Sequence, residues 1–242
     1  MSKTEFSEEQ FMSIYPEGIE NHYWTNGRNQ IIKRELEENN LRDKKILEVG
    51  CGRGIVVDYL RQRGFDCYGV DLAKISPVNN VAPYVQCGFD FVSLTGDFKA
   101  SIEVVMLFDV IEHISDPVSF LALIREHFPN AQHLIVTVPA RQELWSNYDV
   151  FNGHFRRYDL SGLETTLRSG GWSVVDTEYL FHLLYWPARV LLNTSGERNT
   201  TITAPRGISV FVHKILAYFM VLDSIIFSKR IRGSSLMSIC KR

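Results

Sequence analysis

The sequence has little cysteine, no excess of basic charge and no apolar leader. Its 242 residues include four cysteines, Cys51, Cys67, Cys87 and Cys240. None forms a Cys-x-x-Cys pair or stands at zinc-like spacing from histidine, so neither a disulfide framework nor a structural zinc site is expected. Reduced thiols in a cytoplasmic protein fit that pattern. The net charge of −2 gives no global basic field, and no nucleic-acid partner is expected. Met1–Glu9 is acidic and polar, unlike a secretory leader. Ile208–Phe227 is long enough to cross a membrane, but Ser209, His213, Lys214, Asp223 and Ser224 interrupt it, and it reads as an amphipathic helix. No internal repeat or low-complexity run occurs.

The hydrophobic content of 45% and charged content of 22% suit one folded domain. Phe6–Tyr15 reads as a short helix and Tyr23–Leu36 as a longer one, with Trp24, Ile31, Ile32 and Leu36 on one face and Arg28 on another. Strands are expected at Lys45–Val49, Asp66–Asp71, Phe91–Thr95, Val104–Phe108, His133–Val138, Trp172–Leu180 and Ser235–Cys240. Helices are expected from Ile55 to Arg63, from Asp116 to His127, and from a Ser161 cap to Arg168. This alternation predicts an α/β fold, a Rossmann-like, doubly wound, mostly parallel sheet. Residues 1–40 would form N-terminal helices, 41–180 the cofactor-binding core, 181–232 an apolar helical insertion and 233–242 the last strand.

Glu48-Val49-Gly50-Cys51-Gly52-Arg53-Gly54 links the first strand to the first core helix. A dinucleotide fingerprint would place glycine at Ile55 and has no use for an acid before the first glycine. A pyrophosphate wants bare N–H groups, whereas a ligand carrying an ammonium tolerates a carboxylate. Glu48 therefore suits S-adenosylmethionine, which has an ammonium and a sulfonium and no phosphate. Asp71 closes the second strand, where an acid can accept hydrogen bonds from ribose hydroxyls, with Leu72 beside it. Asp97 and Phe98 would meet the adenine, the acid at its amino group and the ring on its face.

At these residues the chain resembles the class I S-adenosylmethionine-dependent methyltransferases. It is most similar to the branch with the ubiquinone-biosynthesis O-methyltransferases and bacterial methyltransferases of polysaccharide and lipid gene clusters. The matching pieces are Ile46–Gly54, Gly69-Val70-Asp71, Phe108–Pro117, Tyr23-Trp24 with Arg28, and Gly153-His154-Phe155-Arg156-Arg157-Tyr158. The resemblance implies a cofactor site of Arg28, Glu48, Gly50, Cys51, Gly52, Gly54, Asp71, Leu72, Asp97, Phe98, Phe108 and Asp109, with Arg28 meeting the cofactor carboxylate. Asp109, Glu112 and His113 match an arrangement that holds a divalent metal in the ubiquinone enzymes. The residues alone favour capping or structural hydrogen bonding for Glu112-His113, then a base, then a metal, and no metal ligand is assigned.

Trp24, Trp145, Arg156, Arg157 and Tyr158 are the candidate acceptor residues. Paired guanidiniums suit an anionic group, and Trp145, Tyr148 and Phe151 supply an apolar wall. An oxygen acceptor loses a proton, for which His113 and His154 are the candidate bases. The expected acceptor is a small molecule or lipid-linked. Residues 208–227 read first as a face that packs onto the sheet or onto a second subunit, as in a homodimer, with peripheral membrane contact as the alternative. The rival readings are a catalytically silent cofactor-binding protein and a membrane-docking interaction protein.

Overall fold

In the computed structural model, residues 8–194 and 196–242 are described. Phe6 and Ser7, where the first helix was expected to begin, lie outside them. The helices α1 (Glu8–Ile14) and α2 (Tyr23–Glu38) precede β1 (Lys45–Val49), α3 (Ile55–Arg61), β2 (Asp66–Asp71), β3 (Val85–Cys87) and α4 (Gly96–Ser101). Then come β4 (Val104–Phe108), α5 (Pro117–His127), β5 (His133–Pro139), α6 (Asn147–Phe151), α7 (Leu160–Ser169), β6 (Ser173–Leu180), α8 (His182–Thr194), α9 (Ser209–Ile226) and β7 (Ser235–Lys241).

The strands form one sheet in the order β3-β2-β1-β4-β5-β7-β6. All pairs are parallel except those of β7, which runs antiparallel to β5 and β6. This is the mostly parallel, doubly wound sheet expected from the alternation. Every residue of β4 is buried, as a strand covered on both faces must be, and so it reads as a continuous apolar run. On one face Leu121, Ile124, Leu163, Leu167 and Trp172 pack against Leu47, Val105 and Leu134. On the other, Ile31, Leu36, Val57 and Leu60 cover Ile46, Val104 and Met106. The order reverses between β1 and β4, so the crevice beyond their carboxyl ends is where such a sheet takes a ligand.

Two expectations about elements are corrected. The third strand is Val85–Cys87, and Phe91–Ser93 is instead a single 3-10 turn. There Asp90 accepts from the Val92 N–H, while Phe91 and Leu94 turn into the core. The cap of α7 is Asp159, whose carboxylate accepts from the Gly162 N–H at 2.6 Å, while Ser161 donates its hydroxyl to that same carboxylate. Between β6 and β7, α8 and α9 form the expected insertion. Asp223 of α9 accepts from the His182 and Leu183 N–H groups at 2.9 and 3.0 Å. A buried acid thereby satisfies the open amino end of α8.

Candidate functional site

The turn after β1 carries three glycines with positive φ, Gly50 at 80°, Gly52 at 54° and Gly54 at 78°. Crowding adds to conformation at Gly50: a Cβ there would stand 2.6 Å from Cγ2 of Val110. The bare turn lets the loop after β4 close against β1. Cys51 is buried and its sulfur fills the space over Gly69, so it shapes the turn from behind.

Four ionisable side chains converge on this turn. Asp71 accepts from the Gly52 N–H at 2.7 Å and the Ala73 N–H at 2.8 Å. Burial raises its pKa, and those two N–H groups pull it back. A carboxylate offers about four lone-pair sites, so two backbone bonds leave acceptor capacity. Leu72 follows, half-buried. Phe108 is buried at the end of β4, and Asp109 beyond it adopts φ 56°. That left-handed conformation is costly for a residue with a Cβ. It is held by the Asp109 N–H donating to the Thr137 carbonyl at 2.9 Å and by an ion pair with Arg28. Arg28 also lies over the Trp24 ring, 4.5 Å from its centroid, and its buried Nε has no partner.

Glu48 is 3% exposed, and its Oε2 meets no donor. Burial pushes its pKa up to about 8; Arg28 opposes the rise, and Asp71 and Asp109 add to it. Three carboxyl groups thus face one guanidinium. An unpaired buried acid is expensive, and a cationic ligand is what would relieve it. The donor set therefore fits S-adenosylmethionine: acids for an ammonium and a sulfonium, acceptor capacity at Asp71 for ribose, and an unused guanidinium N–H for a carboxylate.

Tyr15, just past α1, was missed from sequence. Its ring lies over the turn, 3.0 Å from where a Gly52 Cβ would be, and Arg53 donates to its carbonyl. Gln10 of α1 donates to the Phe151 carbonyl, so this segment roofs the crevice from the glycine turn to α6. Nothing in a weak seven-residue helix announces that role.

Asp97 and Phe98 are not part of this constellation. Phe98 packs edge-on against Tyr68, 5.3 Å between centroids, and under Lys45, the first residue of β1. That is the amino end of the sheet, opposite the glycine turn. The cause is the short third strand: the residues that leave its carboxyl end are Gly88, Phe89 and Asp90. Phe89 is 51% exposed, and its N–H donates to the Asp71 carbonyl.

Beyond β4 and β5 lies a second cluster. Asp149 of α6 is fully buried. It accepts from Nε and Nη2 of Arg157 at 2.8 and 3.0 Å, and from the Ser146 N–H at 2.9 Å. Its Oδ1 is also 2.8 Å from Nδ1 of His154. Burial works to raise the Asp149 pKa, yet the bonds from His154 and Arg157 prevail and hold it at about 2. The charge of Arg157 is therefore already matched. Arg156 turns aside, donating to the Ser115 carbonyl at 2.8 Å. Tyr158 is a core residue whose hydroxyl reaches the Ile111 carbonyl. The expected arginine pair for an anionic acceptor is thus not assembled, and Tyr158 does not face the crevice. Trp145 is half-buried after β5, and Trp24 packs on Phe181.

The cation that does reach this wall is Arg198, from the link between α8 and α9. Its guanidinium lies 5.0 Å from the Tyr148 ring centroid, and its backbone exchanges two hydrogen bonds with Asn147. Burial lowers its pKa, as does the nearby Arg157. A single arginine in a polar loop gives no sequence signal.

Glu112 is completely buried, and among the described residues neither carboxylate oxygen meets a partner from another residue, whereas the His113 ring is hydrogen-bonded to the Asn152 backbone. Burial, reinforced by Asp109, holds its pKa well above the usual carboxylate range. His113 and His154 lie edge to face, 4.6 Å between centroids. Burial lowers the His113 pKa to about 3, helped by His154. One ligand atom each of Glu112, His113 and His154 lie within 4.8 Å of one another, a donor set suited to a divalent cation. Asp109 is not in it, being paired with Arg28.

Comparison with known proteins gives the context of this site. A family described as "Methyltransferase domain" matches residues 22–177. The ubiquinone biosynthesis O-methyltransferase of Pseudomonas fluorescens is 28% identical over 110 residues, 42% of this chain and 47% of that protein. The enzyme of the same name from Idiomarina loihiensis is 31% identical over 90 residues, 34% of this chain and 37% of that protein. The matched part spans about half, or less, of these curated relatives' length. Among solved structures, Burkholderia thailandensis 1,6-didemethyltoxoflavin-N1-methyltransferase superposes with a TM-score of 0.57 at 15% identity, covering 97% of this chain and 86% of that one. Haemonchus contortus phosphoethanolamine N-methyltransferase 2, in complex with S-adenosyl-L-methionine, gives 0.57 at 14% identity, covering 98% and 60%. At these identities the likeness is one of fold.

Proposed function

The chain belongs to the methyltransferase-domain family, and on that premise we propose that it transfers the methyl group of S-adenosylmethionine to an oxygen of a small acceptor. The observation that carries this is the acid-rich pocket at the glycine turn, where Arg28 is the one cation that faces Glu48, Asp71 and Asp109 among the described residues. When bound, S-adenosylmethionine supplies a methyl carbon made electrophilic by its sulfonium. The chain's own residues hold and align. Asp71 accepts from the ribose, and Glu48 with Asp109 balances the positive charges. Arg28 offers its remaining N–H groups to the carboxylate. Tyr15 and α1 keep water out, which matters because alignment in a dry site supplies most of the barrier lowering.

His154 is the candidate proton acceptor for an oxygen nucleophile. The carboxylate of Asp149 takes its Nδ1–H, which leaves Nε2 with the lone pair. His113, whose pKa is too low for that task, is a neighbour that stays neutral. Arg198 beside Tyr148 suits an acceptor with an anionic group, and the names of the curated relatives favour a ubiquinone precursor among such acceptors. Incubation with cofactor labelled in its methyl group, with extracts as acceptor source, tests the reading. Label in a new small molecule supports it; tight cofactor binding without turnover would make the chain a silent binder.

A second reading has its own observation, the Glu112, His113 and His154 donor set. Those three residues would hold a divalent cation, which would supply Lewis acidity at the acceptor side. Titration with zinc or magnesium, followed by calorimetry on the wild type and Glu112→Gln, separates the readings. Equal heats from both proteins remove the metal.

A further inference from the structure

Fourteen of the nineteen large apolar side chains that stand exposed among the described residues fall between 183 and 231. On α9 eight are exposed and cover about half of the helix, roughly 180° at about 100° per residue, and four of them form its centre. Phe211, Ile215, Phe219 and Ile226 are 64%, 43%, 52% and 71% exposed, and at about 100° per residue they spread over roughly 80° of the helix. Ala217, Met220 and Asp223 face the other way and are buried. Trp186 and Val190 of α8, the helix that meets α9, are likewise 62% and 58% exposed. A patch of this size on a monomer marks a contact.

The helix is apolar and long enough to span a bilayer, with a mean hydropathy of 1.6. Its other face forbids that. Met220 fills the gap at Gly27 of α2, and Asp223 holds the start of α8 through His182 and Leu183. The Tyr23 N–H donates to His213. A helix anchored this way lies on the body of the protein with one side bare.

Charge selects the partner. Arg206 precedes α9, Lys214 lies on it, and Arg230 and Arg232 follow it, all exposed. Between 206 and 232 the only acid is Asp223, which is buried and bonded. The basic edge is local, since the whole chain carries −2. A second copy would bring the same cations to a shared rim, which like charges oppose. An apolar stripe with basic flanks and a tryptophan is the composition of an interfacial helix.

We propose that the outward faces of α8 and α9 dock the protein on the surface of an anionic phospholipid bilayer. This does not rest on the methyl-transfer reading. It does place the membrane beside the crevice, because Trp24 and Arg28 lie on α2, the helix that α9 covers, and Trp24 contacts Phe181 at the head of α8.

Flotation of the full chain tests it, with vesicles of phosphatidylcholine alone and of three parts phosphatidylcholine to one part phosphatidylglycerol. The wild type floats with the anionic vesicles and partitions at least tenfold more weakly onto the neutral ones. Phe211→Ser combined with Phe219→Ser loses at least tenfold in partition, as does Arg206→Gln with Arg230→Gln and Arg232→Gln. Circular dichroism confirms that each variant is folded. Wild type that fails to float overturns the proposal, as does unchanged flotation of either folded variant. A dimer in sedimentation that the phenylalanine changes abolish, without vesicle binding, would assign the face to a second copy instead.

Discussion

Glu48 gives the sharpest quantitative handle on the account. Burial with an unpartnered oxygen raises its pKa from an ordinary 4.5 to about 8. The unfolded chain returns to the ordinary value, so between these limits the folded state binds more protons. Stability then falls as pH rises, because unfolding is favoured wherever the unfolded state ionises first. At about 1.4 kcal/mol per pH unit, the penalty reaches roughly 3 kcal/mol by pH 7 and levels off above pH 8. Glu48→Gln removes the titration while keeping the shape. Urea unfolding of both proteins across about pH 4.5 to 8.5 should show the variant gaining on the wild type by about 3 kcal/mol between pH 4.5 and pH 7. The wild type should also release protons on taking up a cationic cofactor, so its binding heat should vary with the buffer's ionisation enthalpy, and the variant's should not. Parallel pH profiles, or buffer-independent heats in the wild type, would refute the reasoning.

Three further outcomes follow from the same geometry. His154→Ala should lower methyl transfer by about 10²-fold or more; His113→Asn should cost far less, because His113 makes no bond to Asp149 and burial keeps its ring neutral. Asp149→Asn strands a buried Arg157 and should destabilise the fold by about 3–5 kcal/mol in urea. Its carboxylate, held at about 2 against an ordinary 3.8, contributes roughly 2 kcal/mol above pH 4 that is lost as pH falls through 2, so this deficit should shrink in acid. Gly50→Ala should cost about 1–3 kcal/mol through its positive φ and the contact with Val110, and Val110→Ala should restore part of that loss on thermal melting.

Much of the sheet was legible because its strands are buried on both faces. Val104–Phe108 is an unbroken apolar run and Leu134–Val138 is broken only by Thr137, and the acid before the glycine turn after β1 separates it from a dinucleotide fingerprint. The third strand was misplaced because it has only three residues at the sheet edge, while Phe91–Leu94 looks like a strand and serves as a core plug. That slip carried the adenine assignment to Asp97 and Phe98, at the wrong end of the sheet. The arginine pair failed for a different reason. Spacing reveals that Arg156 and Arg157 are adjacent, but not that Asp149, eight residues earlier, would neutralise the second. Tyr15 and Arg198 come from segments with no pattern of their own, and only the folded chain brings them to the crevice. Residues that sit on strand ends were readable, and those delivered by loops were not, because loop placement depends on long-range contacts that leave no local period.

The central claim is that the crevice at the glycine turn binds S-adenosylmethionine through Asp71. Isothermal titration of the wild type, Asp71→Asn and Asp71→Ala tests it directly. Loss of a charged acceptor for the ribose hydroxyls costs about 1.5–3 kcal/mol, so both variants should bind at least tenfold more weakly than a wild type that binds readily. No binding to the wild type, or unchanged affinity in Asp71→Ala, would contradict the account.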